Sequence, residues 1–137
     1  MGLELVGLRT PAYKRPADCA QFWNELSQFI RSARTRPIVF IGDLNANPSM
    51  ERRPGGKTLA ALRRDGWQIP EPVGKWSYRN SKAGTRIDHA VISPGLSIAN
   101  AVYEIEIGGL RCAGPEKHLY DHAPLAVEID VRLPSVE

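Results

Sequence analysis

A chain of 137 residues, 42% hydrophobic and 24% charged, has room for one domain with a real core and little room for two. No apolar run nears the roughly 20 residues of a membrane-spanning helix, and no basic region followed by an apolar one opens the chain, so neither membrane insertion nor a secretory leader is expected. The net charge of +3, with arginine favoured among the bases, permits a polyanionic partner without requiring one. Cys19 and Cys112 stand far apart without metal-ligand spacing and read as reduced thiols of a cytoplasmic protein rather than as a disulfide.

In chain order, Leu3 to Leu8 is a short apolar strand, and Thr10 to Pro16, with two prolines, is a loop. Asp18-x-x-Gln21 has the form of a capping box. Phe22, Leu26, Phe29, Ile30 and Ala33 then recur at helical spacing, with Trp23 widening the apolar face, which predicts an amphipathic helix over 18–34. Pro37 to Gly42 is a continuous apolar run, the mark of a strand buried on both faces. A long loop over 44–56 leads to a short helix over 58–65, ended by Gly66.

Trp76 to Tyr78 is a brief aromatic stretch, 80–84 a polar turn, and Arg86 to Ser93 a strand stopped by Pro94-Gly95. From Ala99 to Ile107 apolar residues alternate, 108–118 is loop, and Leu125, Val127, Ile129 and Val131 alternate with charged residues in a last strand. Strand, helix, strand, helix and then mostly strands predict an α/β (α+β) domain spanning 1–137, a mixed sheet with helices packed on it.

Three polar clusters fall at strand ends: Asp43 with Asn45, Asp88-His89, and Asp121-His122. Singly each is weak, since an Asp at a strand end more often caps a turn than catalyses. Together they supply hard carboxylate oxygens suited to Mg²⁺ or Mn²⁺, an imidazole base, and an amide donor for an oxyanion. These are the parts of a metal-assisted phosphoester hydrolase, and the absence of a soft-ligand set argues against zinc.

Gly42-Asp43-Leu44-Asn45, Arg86-Ile87-Asp88 with Ser93 five residues on, and Asp121-His122-Ala123-Pro124-Leu125 occur in an order that resembles the last three motifs of the endonuclease/exonuclease/phosphatase (DNase I-like) superfamily. Trp76-Ser77-Tyr78-Arg79 resembles the aromatic strand that many members carry before the second motif. The resemblance implies that Asp43 positions or deprotonates the attacking water, Asn45 holds the phosphoryl group, Asp88 pairs with His122 at the scissile phosphate, and Asp121 binds Mg²⁺ or Mn²⁺. It gives His89 no role and Ser93 the stabilisation of a strand end. Trp76, Tyr78 and Arg79 join Asn45 as substrate-binding candidates, and nucleic acid is the first-choice substrate.

The departures matter too. Domains of this family are considerably longer, and their amino-terminal half supplies an Asn and a metal-binding Glu for which neither Glu4 nor Glu25 substitutes. Arg9 stands where His is frequent, Tyr13 is a candidate for a phosphate-contacting Tyr, and Tyr120 replaces a Ser before the Asp-His pair. The resemblance thus implies a mixed, mainly antiparallel sheet with helices on one face, the carboxyl-terminal half of a two-sheet sandwich, with a bare sheet face. Sheet-on-sheet pairing of two copies, or a separate amino-terminal half, is expected to cover that face. Two rivals to a nuclease stay open: a hydrolase of small phosphorylated molecules, and a catalytically impaired half-domain that binds a polyanion or a partner chain.

Overall fold

Side-chain alternation along three strands decides the architecture. The computed structural model describes residues 2–12, 15–80, 82–113 and 120–130; Tyr13, Val131 and residues 114–118 of the expected loop lie outside that set. Strand β1 (Glu4–Arg9) is joined by helix α1 (Pro16–Ser32) to strand β2 (Ile38–Asp43), which pairs with it in parallel. A helical crossover is the usual way to join parallel neighbours.

Helix α1 starts two residues before the expected capping Asp. Pro16 takes the first turn, Arg15 is the N-cap without a side-chain cap, and Asp18 sits inside the first turn, where it accepts a hydrogen bond from Arg15 Nε at 2.6 Å. Proline fits this start because its missing N–H would be unpaired there anyway. Trp23, Leu26, Ile30 and Ala33 are buried as their spacing predicts. Phe29 is not: it is 53% exposed and meets Phe40 only edge-on, at 5.7 Å.

Helix α2 (Pro54–Arg64) begins four residues earlier than its apolar pattern indicates. The reason is close packing. A Cβ at Gly55 would lie 2.7 Å from the Trp23 ring, so the glycine that reads as loop lets α2 press against α1.

A hairpin of β3 (Tyr78–Arg79) and β4 (Gly84–Thr85) precedes β5 (Asp88–Ile92), which runs antiparallel to β2. Its turn is held by Asn80 Oδ1, which accepts the N–H groups of Lys82 and Ala83, both at 2.8 Å. The sheet order is β1-β2-β5, and Gln68 bridges to Ile92, so the brief Trp67–Ile69 segment flanks the β5 edge. Ser93 closes the far end as expected: its Oγ accepts from Ile38 N at 3.1 Å and its N–H donates back to Ile38 O.

The alternation from Ala99 does not continue as one strand. Strand β6 (Ser97–Tyr103) ends first, and β7 (Glu106–Ile107) turns through Gly108 and Gly109, both at positive φ, into β8 (Leu110–Arg111). Strand β9 (Leu125–Asp130) pairs antiparallel with β6.

The sheet is therefore mixed and mainly antiparallel, with both helices on one face. Ile38, Phe40 and Val91 pack there against Trp23, Ile30, Leu59 and Leu62. On the other face Val39, Ala90 and Ile92 meet Ile98, Leu125, Val127 and Ile129 of the β6–β9 ribbon. The expected bare face is thus covered along β2 and β5 by the chain's own ribbon. It stays open along β1, where Leu5 is 69% exposed. Among the described residues no helix is long and apolar enough to cross a membrane, and both cysteines are free thiols.

Candidate active site

On the ribbon-facing side of the sheet, parity sets what each strand delivers. Leu5, Gly7 and Arg9 share that side of β1, Val39, Ile41 and Asp43 that side of β2, and Ile92, Ala90 and Asp88 that side of β5. The register pairs Arg9 with Asp43 and Asp43 with Asp88. Three apolar strands thus end together in one charged row, Arg9–Asp43–Asp88. Gly42 makes the row compact: its φ is 151°, and a Cβ there would stand 1.9 Å from the Leu8 carbonyl oxygen.

Beyond the row, residues 121–123 are fastened to the segment that leads into the β3–β4 hairpin. Arg79 N–H donates to Asp121 O at 3.0 Å, Ala123 N–H donates to Ser77 O at 2.7 Å, and Tyr78 bridges to His122. The His122 ring lies between Tyr78 and Tyr120, with centroid distances of 5.1 and 5.8 Å. Its Nδ1 is 2.9 Å from Asp88 Oδ2 and its Nε2 is 3.8 Å from Asp43 Oδ2. In the neutral ring the Asp88 carboxylate holds the proton on Nδ1 and leaves Nε2 free to accept one.

Asp88 is fixed in turn. Buried Ser77 accepts at Oγ from the N–H groups of Ile87 and Asp88, at 2.9 and 3.1 Å, and Tyr103 Oη donates to Asp88 O at 2.7 Å. Burial pushes the Asp88 carboxyl above the usual range, and hydrogen bonds from Ser77 and His122 oppose that shift only in part. Burial also pushes the Tyr103 phenol up to about 12, so it remains a donor at neutral pH.

Asp43 is held through its backbone and one oxygen: its carbonyl accepts from Thr10 N–H at 2.9 Å, and Oδ1 accepts from Asn45 N–H at 3.0 Å. Asn45 adopts φ 44°, a left-handed conformation that asparagine tolerates. Its Nδ2 donates to Thr10 O at 2.6 Å, so part of its donor capacity ties β1 to the loop after β2.

An open cleft of about 580 Å³ runs over this assembly, with Arg9, Asp43, Asn45, Tyr78, Asp121 and His122 on its walls. The structure therefore brings together Asp43, Asn45, Asp88, Asp121, His122 and Tyr78. Trp76 and Arg79 lie outside the cleft lining, stacked on each other with the guanidinium 4.7 Å above the ring. Arg86 is committed to Pro72 O at 2.5 Å, to Gly74 O and to the Tyr103 ring. His89 points away from the row: its Nε2–H donates to Arg86 O at 2.9 Å, and burial holds its pKa below the ordinary value.

Two residues of the site escaped sequence reasoning in different ways. Ser77 gave only the signal of a small polar residue inside an aromatic run. Arg9 drew notice only as a departure from a frequent His, and the β1–β2 register is what sets it beside Asp43.

Asp43, Asp88 and His122 offer ligand atoms within 4.8 Å of one another, a set that can hold a divalent cation. The two hard carboxylates fit Mg²⁺ or Mn²⁺. A cation at this trio competes with the Asp88–His122 hydrogen bond for the same oxygen. Asp121, exposed on the cleft wall, is not one of the three.

A carboxylate-oriented imidazole facing a second carboxylate across an open, polar cleft is an arrangement able to move protons at a bound substrate. The chain belongs to the Endonuclease/Exonuclease/phosphatase family: the model of that family matches residues 3–114. The match takes in Asp43 and Asp88 and ends before Asp121 and His122, whose place beside them is a matter of geometry. No curated protein matches the chain.

Proposed function

We propose that the chain is a Mg²⁺- or Mn²⁺-dependent phosphoester hydrolase, with a nucleic-acid phosphodiester as its first-choice substrate. The observation that carries this reading is the His122 ring, held by Asp88 at 2.9 Å with Nε2 turned toward Asp43. Asp43 orients or deprotonates the attacking water, and water oxygen adds to phosphorus as the P–O bond to the leaving group breaks. His122 Nε2 contacts the phosphoryl oxygens or carries a proton, and the Asp88 carboxylate stabilises the imidazolium that forms. Asn45 donates to the phosphoryl group with the N–H that Thr10 does not use. A divalent cation would neutralise charge developing on the phosphoryl oxygens; Asp121 and Asp43, both on the cleft wall, would hold it in preference to the Asp43–Asp88–His122 trio, which leaves Asp88 Oδ2 to His122.

Nucleic acid is favoured over a small phosphorylated molecule by the openness of the cleft and by Arg53 and Tyr78. Both line an apolar groove that shares Asn45 with the cleft. Mg²⁺-dependent nicking of plasmid DNA tests the reading: His122→Ala and Asp43→Ala should each abolish it. Turnover of p-nitrophenyl phosphate without nicking would move the assignment to a phosphatase.

A second reading has its own support. Among the described residues no glutamate lines the cleft, whereas the family resemblance implies a metal-binding one. A catalytically impaired half-domain would bind a polyanion or a partner chain without turnover. We also propose a cytoplasmic homodimer paired sheet on sheet, or pairing with a separate amino-terminal half, supported by the exposure of Leu5 on open edge strand β1. A monomer in sedimentation at micromolar concentration would sink the homodimer.

A further inference from the structure

We propose that Arg9 is a further phosphate-binding residue of this cleft, the one with a permanent charge, gripping the non-bridging oxygens of the group being cleaved. The inference rests on the hydrolase reading above and adds a residue to which that reading gives no role. Asp43, Asp88 and Asp121 make the site acidic, so an anionic phosphoester needs a cationic counterpart within reach. The Asp88–His122 pair offers one only when the imidazole is protonated.

Among the described residues that line the cleft and the second opening behind it, Arg9 alone carries a permanent positive charge. The parallel register sets it directly beside Asp43, on the side of the sheet that faces His122. An arginine there has an obvious structural alternative, an ion pair with Asp43. The two side chains make no contact within 4.0 Å, and among the described residues the guanidinium forms no ion pair or side-chain hydrogen bond. It is exposed at the cleft mouth with its donors uncommitted. A guanidinium presents a planar fork that matches two oxygens of one phosphate, which an ammonium cannot do. Glu4, at the other end of the same strand, shows the contrast: it is bound in an ion pair with Arg36 and has nothing to offer a ligand.

The test uses the full chain as wild type, Arg9→Ala, Arg9→Lys and His122→Ala. Calorimetry with inorganic phosphate in EDTA reads anion binding without metal or turnover. Hydrolysis of bis(p-nitrophenyl) phosphate with Mg²⁺ reads activity. Arg9→Ala should weaken phosphate binding by about 10- to 100-fold and raise KM more than it lowers kcat. Arg9→Lys should recover part of the loss, and added guanidinium should restore activity to Arg9→Ala, which a purely structural role would not allow. Unchanged circular dichroism guards against misfolding, and Arg9→Lys stands in should the alanine variant not fold.

The proposal is overturned if the wild type binds no phosphate, or if Arg9→Ala matches wild type in both readouts while His122→Ala is dead. That last pattern leaves the hydrolase reading intact. Phosphate binding that depends on Arg9, with no hydrolysis by any of the proteins, sinks the hydrolase reading and keeps the anion site.

Discussion

Asp88-His89 and Asp121-His122 are the same dipeptide in two settings. On β5, strand parity splits the pair: Asp88 joins the charged row, and His89 turns to the opposite side and is wholly buried. In the loop before β9, both side chains reach the cleft. The working partnership is crossed, because the histidine of the second pair takes its carboxylate from the first. Neither dipeptide is a unit of function. What matters is which side of a pleated strand each member occupies, and which distant element the chain lays beside it.

The largest test of this contrast is His122→Ala, which should lower kcat by about 10²–10⁴ in a phosphodiester assay while leaving the urea midpoint near wild type. His89→Gln should leave kcat unchanged, and equal losses from both histidines would break the comparison. Next is Asp88→Asn, which keeps the shape and removes the charge that orients the ring; a loss of about 10–100-fold in kcat is expected.

The Asp88 carboxyl titrates higher folded than unfolded, so its ionisation costs stability. That penalty is absent below the ordinary value of 3.8 and complete once pH has risen through the folded pKa. Thermal melts should therefore favour Asp88→Asn over wild type increasingly as pH rises through that window.

Ser77→Ala leaves two partly buried N–H donors without their acceptor and should lower stability by about 1–3 kcal/mol in urea titration. The smallest effect concerns His89. Its folded pKa is depressed, so its contribution is present above the ordinary 6.5 and is lost as pH falls through the folded pKa. His89→Gln should flatten the decline of melting temperature in that acidic range; an unchanged slope would mean that His89 is not the acid-sensitive group.

Much of this was legible in the residues. An apolar run that breaks into Gly42-Asp43-Leu44-Asn45 reads as a buried strand delivering polar groups, and it is one. A mixed sheet with helices packed on it followed from the order of the elements, and the one-face arrangement from the family resemblance. What escaped depends on close approach or on pairing between distant segments. Gly55 looks like loop until the Trp23 ring is set against it, and Phe29 fits the helical stripe but falls where the sheet gives it little cover. Arg9 is the clearest case. The family resemblance marks it only as a replacement for a frequent His, and its setting comes from a parallel ladder that brings residue 9 beside residue 43.

The hold of Ser77 and Arg79 on residues 121–123 also has a consequence for synthesis. Arg9, Asp43, Asp88 and His122 leave the ribosome in that order, and the imidazole comes last. A nascent chain can pack its helices and sheet and still lack the imidazole. The charged row then waits until β9 is released and the segment ahead of the hairpin catches residues 121–123. The Asp88–His122 pair therefore closes only when residues 121–123 dock on the segment ahead of the hairpin, late in synthesis.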